Sequence, residues 1–414
     1  QQYVDMMQSL ADSEYTPKTG VKIDFQIMPD ESKLLLASAS GEAPDAALGV
    51  SVGIPYNLAL RGAVLKLNDL PDFKQTAQQF SPGAMIPMII DNNFYGLPET
   101  QDFYVQFTRN DILDKLNIPA ANTWNDVTSS LPELQRYGMN YYIPLSGTAG
   151  TKAMMFTAQG IWQANGSLYN PNGTQSAINS ANGIQGLTFM TQLYTTYSLP
   201  LQVNSFYNSF RYGQLPAGIS NFGSYVQLKS AAPEIANEWS IEPSPGVQQA
   251  DGSINRMQTG SHTEDFIFKS TKNKAETWKF LQWWESSQTQ SDYARQLQTT
   301  YGPSYMWNTA NLTAFAQLPW PEADKTAILE QWKWLEEAPQ TPAGYMEERQ
   351  ISNIWTDVVF NGKNVRAATE NNSIIINKEI TSRLSDFGYI KNGKLVKNYE
   401  IPTLDKVKEL LDEK

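Results

Sequence analysis

Apolar positions change their period several times along the chain, and the changes divide it into alternating helices and strands. Residues 1–11 place Val4, Met7, Leu10 and Ala11 on one face, which predicts an amphipathic helix. Residues 21–27 then alternate strictly, with Val21, Ile23, Phe25 and Ile27 on one side, which predicts a strand. Residues 31–40 return to helical spacing and stop at Gly41, where a residue free to adopt positive φ ends the turn. Residues 44–48 read as a short buried strand, and a helix follows through Leu60 to a second stop at Gly62. Strand, helix, strand and helix in such short units predict a parallel sheet with helices on its faces. Ligands of such sheets bind beyond the carboxyl ends of the strands, which puts Asp45 and residues 49–53 on the productive edge.

Further along, residues 93–102 lead into an extended run at 103–107 that can carry the chain from one lobe to another. A helix over 109–116 follows, and Thr123, three residues before Asp126, opens the next as an N-cap. Residues 146–181, rich in glycine, asparagine, threonine and aromatics, suit the lining of a cleft better than a core. Residues 210–225 read as helix end, strand and glycine loop, and 238–246 as a strand closing in a Pro/Gly turn. Trp278, Leu281 and Trp284 recur at helical spacing and predict a helix over 274–285 packed on a sheet. Trp332 and Trp334, two positions apart, cannot share a helix face. The last stretch, 391–414, carries Leu404, Val407, Leu410 and Leu411 on one helical face. No apolar run reaches the ~18 residues of a membrane span, so no transmembrane segment is expected.

A chain of 414 residues exceeds one ordinary core of ~100 to 200, so two or three domains are expected. Its 31 Lys and Arg against 42 Asp and Glu leave a net charge of −11, which removes general attraction for nucleic acid or anionic lipid. With no Cys and a single His, His262, thiolate zinc sites, Cys–His nucleophiles and CxxC redox pairs cannot be built. No P-loop, GxGxxG helix opening or GxSxG elbow is present either, and no cofactor is expected. Binding or carboxylate chemistry remains. Aromatic residues make up 12 % of the chain, and Trp and Tyr join a flat apolar face to a polar edge, as sugar rings require of a partner.

Several motifs come in a telling order: Thr19-Gly-Val-Lys-Ile23, Ala39-Ser-Gly-Glu-Ala-Pro-Asp45, Tyr95-Gly-Leu-Pro98, Arg109-Asn-Asp-Ile-Leu113 with Thr123-Trp124, and Phe210-Arg-Tyr-Gly213. Trp239 with Pro243-Ser-Pro-Gly246, Lys272-Asn-Lys-Ala-Glu-Thr-Trp-Lys-Phe280 and Asn377-Lys-Glu379 follow. This succession resembles the extracellular solute-binding proteins of ABC importers, the maltose-binding-like carbohydrate group. The resemblance implies an α/β, two-lobe fold of the type II periplasmic-binding-protein kind, with a helix-flanked central sheet in each lobe and a hinge between them. It implies lobe one at residues 1–106 and 264–310, lobe two at 107–263 and 311–390, and a C-terminal extension at 391–414. It also implies an oligosaccharide ligand, importer permease subunits as partners, a monomer, and an extracellular or periplasmic location with a lipid-anchored precursor. Relatives open with a strand before the first helix and carry a lipid-attachment Cys. This sequence shows neither, so lobe one is expected to lack its first strand.

Within the implied cleft, Asp45, Glu99, Gln101 and Asp102 are expected to accept hydrogen bonds from sugar hydroxyls, Glu99 and Asp102 being the leading pair. A solvated turn is their plain alternative. Trp162, Phe222, Tyr225 and Tyr301 adjoin glycine or polar residues and are candidate stacking platforms, a core role being the rival for Trp162. His262, Thr263 and Glu264 precede a strand returning across the hinge and are ligand candidates, against a hydrogen-bonded structural histidine. Tyr345 and Arg349 lie in a segment resembling one that folds toward the cleft in relatives, although Arg349 can simply neutralise Glu348. A glycoside hydrolase recruiting two of these carboxylates, ~5 to 5.5 Å or ~6.5 to 9.5 Å apart, is the competing function. A binding module of a larger surface protein is the third. No DxDxDG loop marks a calcium site, and no metal is assigned.

Overall fold

The structure, a computed structural model, describes residues 1–145 and 154–413. Seven strands build its two larger sheets: β1 (Ala46–Ser51), β2 (Leu97–Gln101), β3 (Val105–Arg109), β4 (Tyr141–Tyr142), β5 (Ala217–Ser220), β6 (Trp239–Glu242) and β7 (His262–Ile267). One sheet has the order β1-β7-β2 and the other β4-β5-β3-β6.

In the first sheet β7 runs antiparallel to both neighbours, pairing Glu264 with Val50 and Thr263 with Thr100. The parallel sheet expected from the local strand–helix rhythm is therefore corrected. β1 and β2 do run the same way, but a strand from far along the chain lies between them, and local periodicity carries no information about it. In the second sheet β3 is antiparallel to β5 and β6, and β4 is parallel to β5. Val105 and Phe107 of β3 are fully buried, and the Phe107 ring stacks 5.8 Å from that of Trp239.

Local chemistry places the helices. The helix Trp124–Arg136 opens with a complete capping box, in which Thr123 and Asp126 satisfy each other's backbone donors. Helix α1 (Gln2–Leu10) buries Met6, Met7 and Leu10. Helix α2 (Phe222–Ala231) starts at β5, and α3 (Lys274–Trp284) buries Trp278 and Trp284 as its spacing predicts. Helix α4 (Ser287–Tyr301), α5 (Gly344–Val359), α6 (Val365–Asp386) and α7 (Leu404–Leu410) complete the elements used below.

Residues 21–27 belong to no strand, against the period-two expectation. Their apolar side is nonetheless used, since Val21, Ile23 and Phe25 pack on the cluster around Phe280 and Trp284. No strand backbone meets theirs; the Gln8 side chain instead bonds the Ile23 carbonyl at 2.9 Å and the Phe25 amide at 3.2 Å. At the other end of the chain, Val407 and Leu411 are fully buried beside Leu67, Phe73 and Trp278, so the terminal segment is packed into the first sheet's core.

The chain passes from the first sheet to the second between Gln101 and Val105, and returns through residues 259–262. A third segment runs alongside: Gln258 bridges Leu335, and the Glu337 amide donates to the Gly83 carbonyl at 3.1 Å.

Candidate functional site

A cleft of about 860 Å³ opens where these crossings meet. Ser51 and Val52 at the carboxyl end of β1, with His262 and Thr263 at the start of β7, line it from the first sheet. Tyr142, Phe156, Phe206, Ser220 and Asn221 line it from the second, and Tyr104, Gly260, Ser261, Glu337 and Gln340 form its hinge side. A smaller hollow of about 480 Å³ takes its lining from 138–140 and 200–215 only, so it touches one sheet's elements and neither crossing.

The wall on the second sheet is aromatic. Tyr142 lies flat on Phe206, with centroids 4.5 Å apart and planes 10° from parallel, and Tyr104 meets Phe156 edge-on at 4.9 Å. Apolar ring faces with phenolic edges form the kind of surface on which a pyranose can lie.

The opposite wall is polar and held by a buried network. Glu337 Oε1 accepts from the Gly260 amide at 2.9 Å and the Gln101 amide group at 3.2 Å, and lies 3.7 Å from His262 Nδ1. His262 Nε2 is 2.6 Å from Glu264 Oε1. Burial lowers the imidazole's proton affinity, but the hydrogen bonds to Glu264 and Glu337 outweigh it and raise its pKa to about 10. A cationic ring between two carboxylates thus sits at the base of the cleft. Gly260 has no room for a side chain, since a Cβ there would lie 2.6 Å from Gln101 Nε2. Asp102 fixes the crossing to the second sheet. Its carboxylate accepts from the amides of Phe103 (2.8 Å) and Phe222 (3.0 Å) and from Asn221 Nδ2 (3.1 Å), tying the start of α2 to the hinge. Burial raises Asp102 to about 6 against these three bonds.

Of the residues expected from sequence, His262 and Thr263 line the cleft. Gln101, Asp102 and Glu264 lie directly behind it as partners of the hinge and of His262. The others are elsewhere. Asp45 is exposed at the opposite end of β1, where it accepts from the Thr271 hydroxyl at 2.5 Å. Glu99 is buried against the Trp284 indole N–H at 2.9 Å. Trp162 belongs to the core around Ile161, Leu168 and Ile178. Tyr225 is fully buried and donates to Asp324 at 2.6 Å. Phe222 stacks on Trp320 at 5.9 Å, and Tyr301 packs on Tyr305 at 5.3 Å. Tyr345 is exposed and donates to Glu379, and Arg349 is exposed on α5. Sequence reasoning missed Tyr104, Tyr142, Phe206 and Glu337; Phe156 fell within the stretch expected to line a cleft, of which 146–153 lie outside the described residues. Tyr104 carried a usable signal, two positions after Asp102 in the same crossing.

The family model described as bacterial extracellular solute-binding protein matches residues 4–291. None of the curated proteins matches the chain significantly. Among solved structures, the sugar-binding protein MalE from Xanthomonas citri is 18 % identical with a TM-score of 0.77, covering 94 % of this chain and 98 % of its own. The maltose-binding periplasmic protein MalE from Listeria monocytogenes, in complex with maltose, is 17 % identical at a TM-score of 0.71, with 94 % and 97 % covered. An ABC transporter solute-binding protein from Thermotoga lettingae, bound with α-D-tagatose, is 18 % identical at 0.67, with 92 % and 95 % covered. At these identities the likeness establishes the fold, which is shared over nearly the whole chain.

Proposed function

The chain belongs to the bacterial extracellular solute-binding protein family, and from that premise we propose that it captures an oligosaccharide in the cleft and presents it, unaltered, to an ABC importer. The observation that carries this is the stacked Tyr142–Phe206 pair on one wall of a cleft whose other wall offers Thr263 and the His262 network. Its volume, about 860 Å³, suits a sugar of two or three rings among ligand sites of ~300 to 1,000 Å³. Similar proteins, one named for maltose and one solved with α-D-tagatose bound, support a carbohydrate over other solutes.

Two carboxylates stand in the lining among the described residues, Glu337 and Glu348. Glu337 is committed to Gly260 and Gln101, which supports binding over hydrolysis. We take the lobes to be residues 1–106 with 264–310, and 107–263 with 311–390, the cleft opening between them. The buried terminal segment supports grouping 404–411 with the first lobe. Among the described residues no helix is long and apolar enough to cross a membrane.

The test is a panel of neutral di- to tetrasaccharides scored by thermal shift, with the glycan recovered and chromatographed afterwards. At least one sugar should raise Tm and return intact. Release of new reducing ends, or no shift with any glycan, would overturn the proposal.

A further inference from the structure

Behind the cleft wall, inside the first sheet's core, three carboxyl groups converge from three separate elements. Glu99 lies on β2, Asp265 on β7, and Glu285 follows the last turn of α3. They are 4 %, 0 % and 0 % exposed, and each offers an oxygen within 4.8 Å of the other two. Among the described residues no Lys, Arg or His pairs with any of them. Two N–H donors reach the group: Trp284 Nε1 on Glu99 at 2.9 Å and the Gly49 amide on Asp265 Oδ1 at 2.8 Å. Among the described residues, both oxygens of Glu285 and Oδ2 of Asp265, all fully buried, meet no donor from outside the cluster; within it the acids contact one another, Asp265 lying in hydrogen-bond reach of both Glu99 and Glu285. Any side chain at Gly49 would crowd the cluster, since a Cβ there would lie 2.9 Å from Glu99 Oε1.

We propose that Glu99, Asp265 and Glu285 hold a calcium ion within lobe one. Desolvated carboxylates without a counter-charge are costly, and their repulsion in a low dielectric adds to the cost. An all-oxygen donor set selects a hard cation over zinc or copper. Calcium binds oxygens at ~2.3 to 2.6 Å, so two of its ligands can stand as far as ~4.6 to 5.2 Å apart, which accommodates the observed spacing. Glu285 can bind through both oxygens, and Asp265 through Oδ2, while Trp284 and Gly49 orient the remaining ones. The ion would join β2, β7 and α3, β7 being the strand that also carries Thr263, whose hydroxyl lies 2.7 Å from that of Thr100 on β2. It would stiffen one wall of the cleft, and its presence does not depend on which solute the cleft takes.

The purified full chain, stripped with chelator, tests this by equilibrium dialysis against calcium chloride and by thermal unfolding with and without it. One calcium per chain and a Tm rise of about 3 °C or more are expected. Terbium, a luminescent substitute for calcium, should be sensitised through the adjacent Trp284, and Glu285→Gln should lose both the emission and the calcium-dependent Tm rise. Asp265→Asn provides a second variant if the first fails to fold. Absence of bound calcium in the stripped and reloaded protein, or an equal calcium response in wild type and folded variant, would overturn the site.

Discussion

His262 shows how much one side chain can be asked to do. It is the sole histidine of the chain, and it is buried between Glu264 and Glu337 at the base of the cleft. Its pKa is raised from 6.5 to about 10, so the folded state binds its proton more tightly than the unfolded chain. The stability it contributes is fully present below about pH 6.5 and disappears as pH climbs through about 10. Replacing it with Gln leaves Glu264 buried without its cation, and removal of one partner of a buried pair costs about 3–5 kcal/mol. Urea unfolding of wild type and His262→Gln at pH 6, 8 and 10, taken as approximate set points across that window, should show the difference narrowing as pH rises. A constant difference would place the stabilisation elsewhere. The sequence signalled this residue and Thr263 because they precede a run expected to return the chain across the hinge; the observed strand already begins at His262. It misdirected at Trp162. The neighbouring Gly160 suggested an open loop, whereas a Cβ at Gly160 would strike the Gly186 carbonyl oxygen at 2.4 Å. That glycine permits two helices to touch, and the tryptophan beside it is core. Tyr225 was misjudged for a related reason: its glycine neighbour Gly223 sits in the first turn of α2, and two helical positions on, Tyr225 turns inward to Asp324 and Trp320.

Elements with strong local signals were legible. The capping box at Thr123, the helix ending at Gly41 with φ of 77° and the tryptophan spacing of α3 all read through to the structure. Sheet order was not legible, because β7 pairs with strands that precede it by more than 150 residues and nothing local encodes such a pairing. Residues 21–27 carried a strand's pattern without a strand's neighbour, and period two alone cannot distinguish the two. The C-terminal segment was read as an extension, yet its buried Leu411 lies among Leu67, Phe73 and Trp278. Leu411→Ala should therefore cost about 2–5 kcal/mol in a denaturant titration. A loss below about 0.5 kcal/mol, the size of an ordinary surface substitution, would show that this element is dispensable to the core.

At the scale of the molecule, two sheets linked by three adjacent crossings place an aromatic wall opposite a polar one, with the hinge between them built from Gln101, Asp102, Gly260 and Glu337. Solute binding by such a body has to exceed the cost of ordering its halves, which makes stacking and hydrogen bonding both necessary. The rings placed at the cleft for this are Tyr142 and its partner Phe206 together with Tyr104 and Phe156, and the proposal assigns the stacking to them in place of the rings the sequence suggested. The most direct measurement is calorimetric titration of wild type and Tyr142→Ala with the oligosaccharide that stabilises the wild type most. Loss of the ring should weaken binding about 10-fold or more, since ~1.4 kcal/mol is a factor of ten, while Tm without sugar stays close to wild type. Undiminished affinity in a folded Tyr142→Ala protein would contradict a sugar bound against this wall.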